Sequence, residues 1–328
     1  MKLLVTGGLG FIGSNFILKL LNETDEFDII NVDAELYGAD QKNLDSIKNH
    51  EKYEFVKGNI TNKRLMEELI SKCDAVVNFA AESFVDRSIN NADPFLVSNI
   101  RGTFTILDII TKQKKRMIQI STDEVFGSLS KGSADEQTKF NPSSPYAATK
   151  AAAELLINSF SITHNSDVVI TRCTNNYGPR QFPEKLIPKT IILAKQGRNI
   201  PIYGNGKNLR DWIFVDEHCD AVYEILMKGK SGQAYNISAN NEISNVQIVN
   251  KILEIMGKSN DLIEFVEDRP GHDQRYSLDS SKIKNELGWS TKINFEEGIR
   301  KTIEWYEKNF SYYESVSNEI LKSTPWKN

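Results

Sequence analysis

A tyrosine and a lysine four residues apart are the first side chains in this sequence that could do chemistry together. Tyr146 and Lys150 stand in the run YAATK, and on a helix this spacing places both on one face. An ammonium beside a phenol stabilises the phenolate. Lys150 would therefore lower the pKa of Tyr146 and let it take a proton from a hydroxyl group. The alternative is a solvated pair on a helix surface, since this spacing often occurs by chance.

A hydroxyl group and two carboxyl groups follow one another in the run QISTDEVFG. Thr122, or Ser121 before it, would supply a hydroxyl beside the tyrosine and lysine. Asp123 and Glu124 suit the elimination of water, because one group must remove a proton and another must protonate the departing hydroxyl. Oxidation or epimerisation alone needs no such pair. The alternative is a solvated loop, because two consecutive acidic residues are common on protein surfaces.

A glycine-rich loop follows the first predicted strand and precedes a predicted helix. Its glycines fit both G-x-G-x-x-G and G-x-x-G-x-x-G: Gly7, Gly8, Gly10 and Gly13. Glycine leaves room for a tight turn and lets a pyrophosphate approach the backbone N–H groups at the helix start. Asp33 ends the next strand, 20 residues beyond Gly13, where a carboxylate binds a ribose and repels a 2′-phosphate. The pattern predicts NAD binding in preference to NADP, with a purely structural turn as the alternative.

Alternating strands and helices must position these groups. Six β-branched runs predict strands at Lys2–Thr6, 28–32, Tyr53–Lys57, 74–79, 116–121 and 167–172. Helical patterns lie between them at 13–21, Lys63–Ser71, 93–112 and 146–161. This alternation predicts an α/β fold with a doubly wound parallel sheet that helices cover on both faces. Ligands bind such sheets at the carboxyl ends of the strands.

The second half of the chain has a less regular pattern, interrupted by Pro179, Pro183, Pro188 and Pro201. A turn at 205–208 between short strands, and helices at Asn245–Met256, 280–287 and 295–309, predict a smaller mixed α/β unit. The length of 328 residues also favours two domains. We expect a cofactor domain at 1–174 plus about 209–239, and a substrate domain at about 175–208 plus 240–328. The polar segment 311–328 has no predicted role.

Composition argues against several other classes of protein. The chain has 40 Lys and Arg against 44 Asp and Glu, a net charge of −4, and so lacks the positive charge typical of nucleic-acid binders. No apolar run approaches the ~18 residues of a membrane span. Three widely spaced cysteines and four scattered histidines indicate neither a disulfide scaffold nor a zinc site. We expect a cytoplasmic protein without a resident metal.

Nine motifs follow one another along nearly the whole chain. They are TGGLGFIGS, AAES, VDRSI, STDEVFG, YAATKA, RCTNNYGP, FPEKLIP, RDWIFVDEHC and RPGHDQRY. Together they resemble the dTDP-glucose 4,6-dehydratases of the extended short-chain dehydrogenase/reductase superfamily. The first and fifth motifs are shared across that superfamily, whereas STDEVFG, FPEKLIP and RPGHDQRY are more selective. The resemblance implies a Rossmann-like sheet, bound NAD and a nucleotide-sugar substrate in the second domain.

The resemblance also implies a reaction, the conversion of dTDP-glucose to dTDP-4-keto-6-deoxyglucose with NAD returned unchanged. Tyr146 would deprotonate the 4-hydroxyl while hydride leaves C4, Lys150 would support it, and Thr122 would bind the 4-oxygen. Glu124 would remove the C5 proton. Asp123 would protonate the 6-hydroxyl as water leaves, and hydride would return to C6. The product is a precursor of deoxysugars.

Binding residues follow from the same resemblance. NAD would be held by Gly7, Gly10, Phe11, Ile12, Gly13, Asp33, Asn59, Ile60, Ala80, Ala81, Ser98, Tyr146, Lys150 and Asn176. The nucleotide sugar would be held by Ser83, Thr122, Asn175, Lys185, Leu186, Pro201, Tyr203, Arg210, Asn245, His272, Arg275 and Tyr276. Lys185, Arg210 and Arg275 carry the positive charge that a diphosphate needs.

Two positions depart from the family pattern. Asn59 stands where the family has Asp in Gly-Asp-Ile, and its amide can still exchange hydrogen bonds near an adenine. The family's Asp-Lys-Leu-Thr-Tyr becomes DAELY at 33–37, so Glu35 should make the adenosine pocket more acidic. Neither change touches the catalytic residues.

Alternatives remain for the substrate and the activity. A 4,6-dehydratase of another nucleotide hexose, such as UDP-glucose, is the nearest, because one methyl group worth about 1 kcal/mol separates thymine from uracil. Sugar epimerases and UDP-glucuronate decarboxylases need no acid like Asp123 to expel a 6-hydroxyl. A non-catalytic NAD-binding regulator on the same fold is remoter. Superfamily members commonly pair through the helices corresponding to 93–112 and 146–161, which implies a homodimer.

Overall fold

The computed structural model describes residues 1–314 and 316–327. Its largest sheet contains β1 (Lys2–Thr6), β2 (Asp28–Asp33), β3 (Tyr53–Lys57), β4 (Ala75–Asn78), β5 (Arg116–Thr122), β6 (Val168–Cys173) and β10 (Ala234–Ile237). All of them are parallel, in the order β10–β6–β5–β4–β1–β2–β3. The six predicted strands and the doubly wound parallel sheet are confirmed. The seventh strand, β10, was not among the predicted strands.

The helices alternate with these strands and continue to the carboxyl end of the chain. They are α1 (Phe11–Glu23), α2 (Lys63–Ser71), α3 (Val85–Asn90), α4 (Asp93–Phe95), α5 (Thr103–Gln113), α6 (Pro145–His164), α7 (Leu186–Gln196), α8 (Val215–Lys228), α9 (Asn245–Met256), α10 (Ser281–Leu287), α11 (Phe295–Lys308) and α12 (Phe310–Tyr313). A π-helical segment, Leu96–Gly102, joins α4 to α5. The single helix predicted at 93–112 is therefore three consecutive helical pieces.

Successive side chains of each strand point to opposite faces of the large sheet. Both faces carry apolar side chains, and helices cover both of them. On β1, Leu3 and Val5 pack in the core that contains α1 and α8. Leu4, between them, packs in the core formed with α2, α5 and α6. The strand neighbours of β1 are β2 and β4. The chain reverses its direction of travel across the sheet here, and such a switch point leaves a crevice for ligands.

A second, smaller unit has its own sheets and core. Strand β9 (Leu209–Phe214) pairs in parallel with β7 (Asn175–Tyr177) and antiparallel with β11 (Glu242–Ser244). A separate two-stranded parallel sheet joins β8 (Ile200–Tyr203) to β12 (Ile263–Val266). Helices α7, α9 and α11 pack together around these strands. The predicted smaller mixed α/β unit is confirmed.

Two features of this unit, a turn and a proline, differ in part from what the sequence predicted. The predicted turn at 205–208 joins β8 to β9, although these two strands belong to different sheets. Helix α7 contains Pro188 in its first turn, where a missing backbone N–H costs nothing.

In the described residues, no helix has the length and apolar character needed to cross a membrane.

Candidate active site

Two adjoining cavities open at the carboxyl ends of the central strands. The first, of about 300 Å³, extends from the glycine-rich loop after β1 to the turn after β5. The second, of about 180 Å³, is walled by α7, β8 and β9. Both cavities share the side chains of Glu124, Asn175, Asn176 and Lys185. The two cavities therefore adjoin along a common wall of side chains.

Most of the predicted site residues line this space. The first cavity is lined by Gly7, Gly10, Phe11, Ile12, Gly13, Asp33, Asn59, Ile60, Ala80, Ala81, Ser83, Ser98, Thr122, Asp123, Glu124, Tyr146, Lys150, Asn175, Asn176 and Lys185. The second is lined by Glu124, Asn175, Asn176, Lys185, Leu186, Pro201, Tyr203, Arg210, Asn245, His272 and Tyr276. Of the predicted set, Arg275 lines neither cavity.

The glycine-rich loop has the shape that a dinucleotide pyrophosphate requires. Gly7 has φ of +68°, and a Cβ on it would lie 2.6 Å from the backbone nitrogen of Ala80. A Cβ on Gly13 would lie 2.5 Å from the carbonyl oxygen of Gly7. Gly10 caps α1 without a side chain, so the first-turn N–H groups of this helix remain available to an anion in the cavity. These residues fit a bound dinucleotide.

Asp33 and Asn59 approach the first cavity with some of their hydrogen-bonding atoms already engaged. The Asp33 carboxylate accepts hydrogen bonds from the backbone N–H of Leu9 at 3.0 Å and of Glu35 at 2.8 Å. Burial raises its pKa. The Asn59 side-chain oxygen accepts from the backbone N–H and the hydroxyl of Thr61, at 2.9 and 2.8 Å. The Asn59 amide N–H₂ is thus the part of that side chain suited to a ligand.

Glu35, which was expected to make the adenosine pocket more acidic, lies outside the first cavity, although its charge contributes to the raised pKa of Asp33. The Glu35 carboxylate pairs with Lys57 and accepts a hydrogen bond from Gln41, and it does not line the first cavity. The hydrogen bond from Lys57 lowers the pKa of Glu35. Glu35 has φ of +55°, and its partner Lys57 is the last residue of β3. Asp33 is therefore the carboxylate that a bound ribose would meet.

Tyr146 and Lys150 are both buried in the wall of the first cavity. Helix α6 begins at Pro145, where the Ser144 hydroxyl accepts a hydrogen bond from the backbone N–H of Ala147 at 3.1 Å. Tyr146 is 8% exposed and Lys150 is 5% exposed. The Lys150 ammonium donates a hydrogen bond to the carbonyl oxygen of Ile120 at 2.6 Å. This burial excludes the solvated surface pair.

The pKa shifts of Tyr146 and Lys150 differ from those that their spacing predicted. Burial lowers the pKa of Lys150 to about 8. Burial also raises the pKa of Tyr146 well above its ordinary value, and the Glu124 carboxylate adds to that effect. Lys150 was expected to lower the pKa of Tyr146, but in the protein alone desolvation outweighs any such attraction. A further positive charge in the cavity is needed to favour the phenolate.

The carboxyl pair follows directly after β5. The Thr122 hydroxyl accepts a hydrogen bond from the backbone N–H of Glu124 at 3.3 Å and donates one to Asp123 at 3.2 Å. Asp123 is 4% exposed, and its second carboxyl oxygen has no hydrogen-bond partner among residues 1–314 and 316–327. Burial, then the Glu124 charge, raises the pKa of Asp123 well above its ordinary value. The protonated form of Asp123 is therefore favoured more than in an exposed aspartate, and the solvated loop is excluded.

A buried ion pair lies behind these groups and engages Ser121. The Ser121 hydroxyl donates to the Glu154 carboxylate at 2.5 Å. Arg172 donates two hydrogen bonds to the same carboxylate, at 2.9 Å from Nε and 2.7 Å from Nη2. Because Ser121 is committed to Glu154, Thr122 is the hydroxyl that is suited to a ligand.

Lys185 and Arg210 place positive charge beside the second cavity. The Lys185 ammonium donates to the carbonyl oxygen of Ser83 at 2.9 Å. The Arg210 guanidinium donates to the carbonyl oxygen of Asp273 at 2.8 Å and lies 4.2 Å from the centre of the Tyr276 ring. Burial lowers the pKa of Lys185 and of Arg210. An anion bound here would offset the cost of removing these two positive charges from water.

Arg275, which the resemblance assigns to the nucleotide sugar, lies outside both cavities. The Arg275 guanidinium is paired with Glu242 at 2.6 Å and donates to the carbonyl oxygen of Gly132 at 2.7 Å. Residue 275 bridges to Leu209 in an extended segment, where successive side chains point to opposite sides. Tyr276 points into the cavity and Arg275 points away from it.

Arg269 takes the place that was expected for Arg275. It lines the second cavity and donates to the Asp86 carboxylate at 2.8 Å. Its Nε is buried and has no hydrogen-bond partner within the described part of the chain. His272, as predicted, also lines this cavity, and its Nδ1 lies 2.6 Å from the Asp268 carboxylate. Within an irregular loop, spacing alone does not reveal which arginine points inward.

A buried histidine behind Asn176 was also missed by sequence reasoning. The His218 Nδ1 lies 2.9 Å from the Asn176 side-chain oxygen, and burial lowers the pKa of His218 to about 3. The imidazole is therefore neutral. Because the amide oxygen can only accept, Nδ1 carries the proton. His218 holds the orientation of Asn176 from outside the cavity.

Comparisons with known proteins agree with this geometry. The family model described as GDP-mannose 4,6 dehydratase matches residues 4–302. The low-salt glycan biosynthesis protein Agl12 of Haloferax volcanii is 47% identical over 307 residues, covering 93% of this chain and 98% of that protein. A dTDP-glucose 4,6-dehydratase of Haemophilus influenzae is 45% identical over 336 residues, covering 95% of this chain and 99% of that protein.

A solved structure is also similar to this chain over nearly its whole length. The dTDP-glucose 4,6-dehydratase of Streptomyces venezuelae, crystallised with NAD bound, matches with a TM-score of 0.94 at 39% identity. The match covers 97% of this chain and 100% of that one. These similarities confirm the resemblance indicated by the nine motifs. The chain belongs to the GDP-mannose 4,6 dehydratase family and is similar over nearly its whole length to dTDP-glucose 4,6-dehydratases.

Proposed function

We propose that this chain is an NAD-dependent dTDP-glucose 4,6-dehydratase, a hydro-lyase that forms dTDP-4-keto-6-deoxyglucose for deoxysugar biosynthesis. The observation that carries the proposal is the buried Asp123 carboxyl, which lies in the same cavity as Tyr146 and the glycine-rich loop and whose pKa burial raises well above its ordinary value. Epimerisation and decarboxylation have no use for an acid at this place. The names of the relatives support the same activity.

The first cavity would hold the cofactor. When bound, NAD supplies a reversible hydride acceptor and, in its oxidised form, a positive charge that favours the Tyr146 phenolate. The backbone at Gly7 and Gly10 would bind the pyrophosphate, Asp33 the adenosine ribose and the Asn59 amide the adenine side. We assign residues 1–174 plus about 209–239 to this cofactor-binding domain.

The first chemical step belongs to Tyr146. Its phenolate accepts the proton of the substrate's 4-hydroxyl as hydride leaves C4, so that the C4–O bond becomes a ketone. Thr122, whose hydroxyl donates to Asp123 at 3.2 Å in the protein alone, would redirect that hydrogen bond to the 4-oxygen. Lys150, fixed to Ile120 at 2.6 Å, holds its positive charge at this end of the cavity and opposes the negative charge on Tyr146.

Elimination of water belongs to the carboxyl pair. The 4-ketone acidifies the C5 proton, which Glu124 removes, and Asp123 gives its proton to the 6-hydroxyl as the C6–O bond breaks. Hydride then returns to C6 while Glu124 returns its proton to C5. The proton gained by Tyr146 balances the one that Asp123 gave up. The net change is the loss of one water, with the cofactor restored.

The second cavity would hold the nucleotide diphosphate. Lys185, Arg210 and Arg269 bring buried positive charge to it, and a diphosphate provides the matching anion. We assign about 175–208 plus 240–328 to this substrate domain. Asn245, Pro201 and Tyr203, which line the same cavity, would contact the nucleotide sugar.

Mass spectrometry after incubation with dTDP-glucose and, separately, UDP-glucose tests the proposal. We expect dTDP-glucose to lose one water without accumulation of NADH, and to react faster than UDP-glucose. Faster dehydration of UDP-glucose would keep the reaction and change the nucleotide. A protein that binds NAD but alters no nucleotide sugar in a wider panel would instead be a non-catalytic regulator.

We also propose that the chain forms a homodimer through α6 and the helical segment from α4 to α5. Five large apolar side chains on these helices are exposed: Leu96, Val97, Phe104, Leu155 and Ile162. Exposed apolar groups concentrated on neighbouring helices are typical of an interface. Light scattering should show a dimer that Leu155→Arg converts to a monomer, whereas Met227→Arg, at an exposed site on α8, should leave it intact. A monomeric wild type would refute the dimer.

We place the enzyme in the cytoplasm. All three cysteines, Cys73, Cys173 and Cys219, are buried as free thiols, as is typical of proteins in a reducing compartment. Fractionation of the native cell should therefore recover the protein with cytoplasmic markers.

A further inference from the structure

The segment 321–327, here called the tail segment, lies against the second cavity although its sequence indicated no role. Leu321 and Trp326 are buried, and Trp326 is 6% exposed. The Trp326 ring meets the Tyr203 ring at nearly a right angle, with 4.6 Å between ring centres and 84° between planes. Edge-to-face contact of this kind stabilises both ring positions.

Tyr203 connects this tryptophan to the cavity. It lines the second cavity, and its hydroxyl donates to the Asp86 carboxylate at 3.1 Å. The other oxygen of Asp86 is held by Arg269 at 2.8 Å. The Tyr203 side chain is thus fixed at its hydroxyl end by Asp86 and along its ring by Trp326.

Two further contacts hold the tail segment on the elements that surround this cavity. The Asn90 side-chain amide, at the end of α3, donates to the carbonyl oxygen of Pro325 at 3.0 Å. The ammonium of Lys189, on α7, donates to the carbonyl oxygen of Lys322 at 3.1 Å, and Lys189 lines the cavity. The segment therefore touches α3, α7 and β8 at once.

We propose that the tail segment is the outer wall of the nucleotide end of the substrate site, and that Trp326 is a positioning residue acting through Tyr203. This inference rests on the proposed function. The reacting groups Tyr146 and Asp123 line the first cavity alone, and Glu124 lies where the two cavities adjoin, so the far side of the second cavity would hold the part of the substrate that does not react. Trp326 lines neither cavity, and its influence on a ligand must pass through the residues that it contacts.

Such a role affects nucleotide affinity and leaves the chemical step unchanged. Without Trp326, the Tyr203 ring keeps its contacts with Asp86 and His272 but loses the closest ring against it, and ligand binding must restore its position. We expect Trp326→Ala in the full chain to raise the Kd of dTDP and the KM of dTDP-glucose about two- to tenfold. The kcat and the Kd of NAD should stay within about twofold of wild type. Trp326→Phe should restore most of the affinity.

Calorimetry with dTDP and NAD, together with steady-state kinetics on dTDP-glucose, measures these quantities. Trp289→Ala is the matched control, because Trp289 is 7% exposed in the core of the large sheet; its loss should lower thermal stability without a selective change in the Kd of dTDP. Unchanged affinity for dTDP in Trp326→Ala, or equal weakening for dTDP and NAD, would overturn the inference.

A double-mutant comparison tests the route through Tyr203. If Trp326 acts through this ring, Trp326→Ala added to Tyr203→Leu should weaken dTDP binding by less than about twofold further. Independent, multiplicative losses would contradict that route. Should Trp326→Ala fail to fold, Asn90→Ala, which removes the hydrogen bond to Pro325, should also weaken dTDP binding. An unchanged Kd of dTDP in Asn90→Ala would contradict the role of the tail segment as the outer wall of the substrate site.

The two proposals fail in different ways. A wild-type protein that neither binds dTDP nor converts dTDP-glucose would refute the proposed function. An active wild type whose tail variants bind dTDP normally would refute only the role of the tail segment.

Discussion

The Lys150 ammonium donates a hydrogen bond to the carbonyl oxygen of Ile120, and 2.6 Å separates the two atoms. Ile120 lies two residues before Thr122 on β5, whereas Lys150 lies one helical turn after Tyr146 on α6. The bond therefore joins the helix that carries the proton acceptor to the strand that presents Asp123. This hydrogen bond helps to hold Tyr146 in position relative to Asp123.

Replacement of Lys150 should show that its charge is needed. We expect Lys150→Met to lower turnover of dTDP-glucose about 10²–10³-fold, because the Tyr146 phenolate loses its neighbouring cation. The variant should keep its circular dichroism spectrum, since methionine fills nearly the same volume. Turnover within about twofold of wild type would contradict the assigned role.

The pH dependence of turnover should carry the signature of this lysine. Burial lowers the pKa of Lys150 to about 8, so the charged form is present below pH 8 and is lost above it. Wild-type turnover should therefore fall as the pH rises through about 8. Lys150→Arg, whose guanidinium stays charged, should be slower but should lose that alkaline decline. A wild-type profile that stays flat well above pH 8 would count against this assignment.

Tyr146 should change its protonation when the cofactor binds. Burial and Glu124 raise its pKa in the protein alone, whereas a positive charge brought into the cavity opposes that effect. Ultraviolet difference spectra should show tyrosinate absorbance appearing at a lower pH after NAD is added. Tyr146→Phe is the control and should lack the change. An identical titration with and without NAD would contradict this account.

Cofactor choice should depend on Asp33 and be indifferent to Glu35. Asp33 lines the first cavity and Glu35 does not. We expect Asp33→Ala to reduce the preference for NAD over NADP about tenfold or more, because the carboxylate that repels a 2′-phosphate is gone. Glu35→Gln should leave the preference within about twofold. Competitive binding of the two cofactors measures both, and the opposite order would refute the assignment.

The two arginines of the RPGHDQRY motif should have different effects on substrate affinity. Arg269→Gln should raise the KM of dTDP-glucose at least about tenfold, because a buried cation facing the second cavity is lost. Arg275→Gln should leave that KM within about twofold, since Arg275 is paired with Glu242 outside the cavity. Steady-state kinetics of the two variants decide between them, and a larger effect for Arg275 would restore the original prediction.

Sequence patterns predicted the large sheet well because strand and helix signals there are local. The bounds of β1, β3, α2 and α9 agree with the predicted ones, because the apolar residues that mark each element lie within the element itself. Strand β10 was missed, since Ala234–Ile237 is four residues long and pairs with β6 far along the chain. Helix α7 was missed because Pro188 reads as an interruption until its place in the first turn is known.

The candidate site was predicted mainly from motifs, and its errors come from side-chain direction. Whether Arg269 or Arg275 points into a cavity depends on an irregular loop that no periodicity describes. The raised pKa of Tyr146 depends on how deeply α6 is packed, which spacing does not contain. Trp326 and the tail segment were invisible for the same reason, since their contacts join parts of the chain more than a hundred residues apart. The proposed domain boundaries stay predictions.

The central claim is that Asp123 turns an oxidising site into a dehydrating one, and a single-turnover experiment on Asp123→Asn tests it most directly. Wild type and variant are mixed with NAD and dTDP-glucose, and quenched samples are examined by mass spectrometry and by NADH absorbance. The account predicts that the variant forms NADH at nearly the wild-type rate while water loss slows about 10²–10⁴-fold. Equal slowing of both steps, or water loss at the wild-type rate, would contradict it.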